Sequence, residues 1–571
     1  MKRVIAAVIV ALFVIANPSL SSAAGTIDEQ YSLNNGTDNR NKVGVLFEEN
    51  VDTLRMPSLL YSYTWSNGKP PNVVSYCDGL NDPKCSSAEF IKYYALMPAC
   101  SSATEVDCIE SIYAVAPGAP ARIKGVYKES IPEKVANPYK ADSDNGLPQG
   151  SVSGVWEIPN IKHGGGTTNF VGIVSRVGSL KRNGTNWLAQ PPGSDPWGSG
   201  DFRAAIYPVN IVRDSRYKAN VSEIAMASNG TMSMGINHPS KLPFDVCAIV
   251  GDGVCALRQT FPKDVKFGMV IRFSKVINGW MHGRIDSPEI DYELTSYGTR
   301  VDMKGQSTRV PILAGWIDPN SFTATEKQRF GQIPAGQSTY PGASGDYSME
   351  ALSTWARALK DTAVANPTQW IFYNLPERDI AAASSCIRNS KTLAGFVTTN
   401  STTYTATPPI YNEQTGTLDY KVASPHFLAD GKVFQGKYNL YIDSKVARCI
   451  YKFSNAPISA SVSITSSDGG QQNVATTVVN EDNGWLHLSA TGFTFSSPTL
   501  KVKLTQDASG VATTPAPSAT PTASAEPAPT TSAAPVAIAK KKSTITCVKG
   551  KTTKKVSAVS PKCPAGFKKK P

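Results

Sequence analysis

The sequence predicts a mainly β, multi-domain protein with a few helices: β-sandwich-like domains, a Pro/Ala/Ser/Thr linker and a small disulfide-stapled basic tail. Three observations predict it. Short runs of Val, Ile, Tyr, Phe and Thr recur between Gly, Pro, Asn and Asp signals, as strands between turns do. Charged residues are only 18% of the 571, below the usual quarter, while 44 Gly and 40 Pro supply turns. Ten cysteines, an even number, include three pairs at one C-x7-C spacing.

Taken in order, residues 1–24 read as a signal peptide. Lys2 and Arg3 precede an unbroken apolar run at 4–15, and Ser22, Ala23 and Ala24 supply small residues for cleavage. The run is short of the roughly 20 residues a spanning helix needs. No later stretch is long enough to span. The expected mature chain therefore lies outside the membrane, secreted, extracellular or cell-wall associated, with no transmembrane span.

Export favours disulfides over metal ligation for the cysteines. None has a CxxC partner or a nearby His, as a zinc site would. Pairing neighbours gives Cys77 with Cys85, Cys100 with Cys108 and Cys247 with Cys255. Cys386 with Cys449 and Cys547 with Cys563 would remain. Spacing alone leaves the connectivity open.

Residues 25–149 read as a loop-rich, disulfide-containing N-terminal region. A short helix is expected over 87–94, with Ser87 as its cap. The polar turn at 142–146 echoes a calcium loop but lacks the closing Glu. Residues 150–430 read as a central β-rich domain, with strands at 154–159, 170–177, 204–209, 270–273 and 289–294 and an apolar segment at 309–317. A helix near 346–364 is expected from Asp346 as cap, Met349, Leu352, Ala356, Leu359 and Ala363 at helical spacing, and Pro367 beyond. A strand should follow at 368–375. Residues 431–505 read as a β-sandwich domain, with short strands at 437–442, 447–453, 458–465, 473–479, 484–490 and 500–504. Residues 506–539 hold six Pro among Ala, Ser and Thr. Such a linker buries no core and extends at about 3.1 Å per residue where it is polyproline II.

Charge is segregated. The last 32 residues, 540–571, carry eleven Lys and no Asp, Glu or Arg. Residues 25–539 carry 44 basic residues against 45 acids, so the body is close to neutral. The basic Cys/Lys module is too small to build a core and needs a staple.

The tail, TITCVKGKTTKKVSAVSPKCPAGFKKK, resembles a Cys/Lys module that ends many uncharacterised secreted surface proteins of actinobacterial type. The stretch 440–504, with YIDSKVARCIYKFSNAPISASVSI, resembles the β-domain that precedes it there. Gly279-Trp280-Met281-His282-Gly283-Arg284 is similar to a motif of their larger members. The resemblance implies an exported surface protein with a terminal module. It implies no reaction and no catalytic residue.

The strongest candidate site is the cationic tail: Lys540, Lys541, Lys542, Lys549, Lys551, Lys554, Lys555, Lys562, Lys568, Lys569 and Lys570. Ammonium groups without acids attract polyanions by releasing counterions. Outside a cell the expected partners are anionic envelope polymers, with no specific nucleic acid. The second candidate is 279–293, which gathers His282, Arg284, Asp286, Glu289, Asp291 and Glu293. On a strand, Glu289, Asp291 and Glu293 share one face. That face could take Ca²⁺ or supply the acid and base of a glycosidase. The plainer alternative is a solvent-facing side opposite buried Ile290, Tyr292 and Leu294, with Trp280 in the core. His163 before Gly164-Gly165-Gly166 has no G-x-S-x-G to go with it, so a hairpin turn is expected. No cofactor is expected. The function expected is non-enzymatic: a cell-surface protein that binds a glycan or another surface. An extracellular carbohydrate-active hydrolase and a structural surface-layer component are the alternatives.

Overall fold

The computed structural model describes most of residues 27–506, the main gaps being 50–56, 65–71, 191–201 and much of 218–245. In the tail it describes 543–549, 552–558 and 568–569. Strands make up 49% and helices 11%, so the mainly β expectation holds. The chain forms two units, Met1–Gly510 and Val511–Pro571.

One sheet of 16 strands runs through the first unit. Its path is Asn72–Tyr76, Leu59–Thr64, Phe90–Leu96, Asn169–Asn183, Phe202–Arg213, Ile371–Asn374, Gly279–Arg284, Leu393–Thr399, Gly436–Asp443, Trp485–Phe493 and Thr476–Asp482. Neighbours on this path are antiparallel except Gly279–Arg284 beside Leu393–Thr399, which are parallel.

Two smaller sheets cover the large one on opposite faces. A five-stranded sheet runs Asp286–Thr295, Gly298–Gln306, Lys266–Phe273, Cys108–Val115, Ile123–Lys124. It packs Ile112, Phe267, Met269 and Val301 against Phe202, Met281, Phe372 and Phe396. A six-stranded sheet, including Thr403–Tyr404, Thr417–Ala423 and Thr499–Gln506, packs Leu418, Tyr420 and Val502 against Trp280, Val397, Leu440 and Leu488. Met281 and Trp280 are adjacent, as are Phe396 and Val397. Adjacent strand residues point to opposite faces, so the two cores sit on opposite faces of one shared sheet. Central strands covered on both faces are apolar throughout rather than alternating. Phe90–Leu96 and Leu393–Thr399 are buried at every position.

This sharing distributes the strands of 431–505. Gly436–Asp443, Trp485–Phe493 and Thr476–Asp482 extend the large sheet, while Ile458–Thr465 and Thr499–Gln506 join the six-stranded one. Residues 25–149 likewise supply Leu59–Thr64, Phe90–Leu96 and Cys108–Val115 to the sheets.

Two local expectations are corrected. The helix expected over 87–94 is instead the strand Phe90–Leu96, paired on both sides. Its aromatic and β-branched residues fit a sheet interior, and that burial overrides the Ser87 cap signal. The strand expected at 447–453 is part of the helix Ser444–Tyr451. Asp443 caps it by accepting from Lys445 N at 2.8 Å and Val446 N at 3.1 Å, and Val446, Ala447 and Ile450 turn inward. The helix near 346–364 forms over Asp346–Ala358, burying Met349, Leu352, Trp355 and Ala356.

Four of the five expected disulfides form: Cys77–Cys85, Cys100–Cys108, Cys247–Cys255 and Cys386–Cys449. For the fifth, Cys547 lies on a described strand of the tail but Cys563 lies outside the described residues. Among the described residues, no helix is long and apolar enough to cross a membrane. The tail unit forms a three-stranded sheet of Thr552–Ala558, Ser543–Lys549 and Lys568–Lys569.

Candidate functional site: an acidic strand beside a buried polar network

The segment singled out by sequence splits into two strands with opposite fates. Asp286–Thr295 is the edge of the five-stranded sheet. Glu289, Asp291 and Glu293 share its exposed side, as the period of two requires. Ile290 and Tyr292 pack against the core, but Leu294, at the turn into the next strand, is 52% exposed. Each acid faces charge from its neighbours. Lys266 and Lys304 reach Glu289 at 2.6 and 2.8 Å. Burial works against its charged form, but these two hydrogen bonds outweigh it and hold its carboxyl below the usual range. Glu293 lies in register with Arg300, which shares Glu110 with Arg272. Asp291 lies opposite Asp302, which accepts from Tyr113 and Arg122 at 2.6 Å each. Asp286 pairs with Lys437. The ammonium groups on Glu289 stand where a divalent cation would have to coordinate. Among the described residues no group of three or more His, Cys, Asp and Glu is placed to hold a metal ion.

Gly279–Arg284 is the opposite case: every residue is buried. Trp280 enters the second core and Met281 the first. Gly283 has no room for a side chain, since a Cβ would come within 2.3 Å of the Ile371 carbonyl oxygen. His282 and Arg284 share the face of Trp280 and meet groups from three distant segments. Arg284 is fully buried and donates to Glu49 Oε2 at 2.7 Å. It also donates to the carbonyls of Thr399, Ser401 and Thr402, and its guanidinium lies 4.2 Å from the Tyr404 ring centre. Tyr373 donates to the other oxygen of Glu49 at 2.8 Å and stacks on His282 with ring centres 5.0 Å apart. His282 Nδ1 lies 2.6 Å from the Tyr404 hydroxyl.

The charge state of that last pair follows from its surroundings. Burial, together with Arg203 and Arg284 nearby, pushes His282 down to about 3. Burial, with Glu49 nearby, raises Tyr404. His282 is therefore neutral, and its Nδ1 and the Tyr404 hydroxyl share one hydrogen bond. The network consists of an ion pair and hydrogen bonds closed on one another, on the Trp280 face of the shared sheet. Such a buried pair is costly to break from one side.

Sequence reasoning found His282 and Arg284 but missed Glu49, Tyr373 and Tyr404. Arg284 and Glu49 are 235 residues apart, so no local pattern connects them. His163 closes its own turn: its ring accepts from Gly165 N at 3.0 Å and meets the Thr167 hydroxyl at 2.9 Å. Of the tail lysines, Lys549, Lys554, Lys555, Lys568 and Lys569 lie on its three strands, with Cys547 in register with Lys554 and Lys569. Lys540, Lys541, Lys542, Lys551, Lys562 and Lys570 lie outside the described residues. The chain matches no family model, no curated protein and no solved structure among known proteins.

Proposed function

We propose that this chain is a non-enzymatic, exported surface protein that associates with anionic envelope polymers through its basic tail. The observation that carries the reading is the segregation of charge: eleven Lys and no acid in residues 540–571, behind a nearly neutral body and a Pro-rich spacer. The tail falls in a compact unit separate from the body, so it can bind without committing the body. The body is the part that meets a glycan or a second surface. Its acidic strand supports binding rather than hydrolysis, because Glu289 is already engaged by two lysines and a catalytic carboxylate pair needs free oxygens facing the substrate. Four disulfides suit an oxidising location.

The test is retention of the full chain and of a chain ending at residue 539 on isolated cell envelopes across a salt titration. Counterion release gives a retention that falls linearly in log–log form with salt. The shortened chain should be retained weakly and without that slope. Equal retention of both chains at every salt concentration would end the proposal.

A further inference from the structure

Residues 27–33 form a strap that pairs with no strand among the described residues. It makes one 3₁₀ turn, Asp28–Gln30, and is held by side chains. Three consecutive side chains bridge two segments of the body, 258–260 and 366–368. Asp28 accepts from Asn366 N at 3.1 Å, with the Arg309 guanidinium 3.9 Å away. Glu29, 4% exposed, accepts at one oxygen from the Thr260 hydroxyl at 2.7 Å. Its other oxygen accepts from Thr368 N at 2.9 Å and the Thr368 hydroxyl at 2.6 Å. Gln30 donates to the Arg258 carbonyl at 2.8 Å. Tyr31 and Leu33 then rest on Leu46, Ile312, Ala314 and Ala365. The strap packs closely beside Glu49, Tyr207 and Arg258, leaving a gap of only about 10 Å³.

We propose that Thr260, Thr368, Asn366 and Arg309 form a recognition site for a short acidic peptide segment, filled in cis by Asp28 and Glu29 of this strap and in trans by the strap of a second copy. Three convergent donors enclose the Glu29 carboxylate, and a separate amide and guanidinium serve Asp28. That is the arrangement by which a protein reads an acidic peptide side chain by side chain. Because the strap contributes no ladder hydrogen bonds, it can leave without unravelling a sheet. Elements held without a strand ladder can exchange between copies at low cost. The inference concerns the body alone and stands whether or not the tail binds polyanions.

The test uses the full chain and a labelled peptide of residues 27–33. In the wild-type chain the site is filled, so the peptide should bind weakly. The near-isosteric Glu29→Gln chain keeps its strap but loses the carboxylate, and should bind the wild-type peptide at least tenfold more tightly than the wild-type chain does. The tenfold expectation follows from losing charge-assisted hydrogen bonds. A peptide carrying Glu29→Gln should lose that advantage, as should a Glu29→Gln chain that also carries Thr368→Val. Equal peptide affinity in the wild-type and Glu29→Gln chains would overturn the proposal, as would indifference to Glu29 in the peptide. Sedimentation of the wild-type chain at rising concentration tests the trans occupant. A dimer dissolved by excess peptide is expected, and a monomer at all concentrations would overturn exchange between copies.

Discussion

Gly279–Arg284 and Asp286–Thr295 are separated by one residue, and both carry ionisable groups at alternate positions. One buries His282 and Arg284, while the other holds Glu289, Asp291 and Glu293 in solvent. Their own residues do not account for the difference. The first strand has neighbours on both sides and a covering sheet on each face. The second lies at the edge of a covering sheet and has one open face. The same kind of residue therefore takes opposite energetic roles. A buried ion is stabilising only while its partner remains, whereas an exposed one is largely satisfied by water.

The largest effect expected from this contrast is at Arg284. Arg284→Met leaves Glu49 buried without its cation and should cost about 3–5 kcal/mol in chemical denaturation. Adding Glu49→Gln should recover part of that loss. A single-mutant cost below about 1 kcal/mol would erase the distinction between the two strands.

The next effect is pH dependence. His282 is pushed down to about 3 by burial and the nearby arginines, and His487 to about 4 by burial. Unfolded, both titrate near 6.5. Between the folded and unfolded values the unfolded chain binds more protons, so stability is full above about pH 6.5 and falls as pH drops toward 4. His487 stacks on Tyr441 with ring centres 4.0 Å apart. His487→Phe keeps that stack and removes the titration. It should flatten the slope of urea stability against pH by up to about 1.4 kcal/mol per pH unit. An unchanged slope would remove His487 from the account.

The smallest effect belongs to the exposed strand. Alanine at Glu289 and Asp291 together should change stability by about 1 kcal/mol or less, and added Ca²⁺ should not shift Tm in either the parent or the variant. A Ca²⁺-dependent rise in Tm that the double variant loses would restore the cation reading of this face.

Much of the fold could be read in the sequence where the signal is local. The repeated C-x7-C spacing pointed to three of the disulfides, and the helical spacing from Met349 to Ala356 gave the helix. The period of two placed Glu289, Asp291 and Glu293 on one side. Signals failed where tertiary context decides. Phe90–Leu96 is buried on both faces and lacks strand alternation, so the Ser87 cap signal pointed to a helix. The run from Val446 to Tyr451 is short and apolar enough to suit either state, and the Asp443 cap settled it. The sharing of one sheet by two cores has no local signature, nor does the meeting of Glu49, Tyr373 and Tyr404 around Arg284. The seat of Glu29 is equally silent, since Thr260 and Thr368 lie 231 and 339 residues away.

The most direct measurement incubates the full chain and the chain ending at residue 539 with a panel of wall and environmental polysaccharides. Retention and new reducing ends are scored in the same tubes. The account expects salt-sensitive retention of the full chain on anionic polymers, reduced retention of the shortened chain, and no new reducing ends with either. New reducing ends, abolished by alanine at Glu289 and Asp291, would contradict it and make the body a hydrolase.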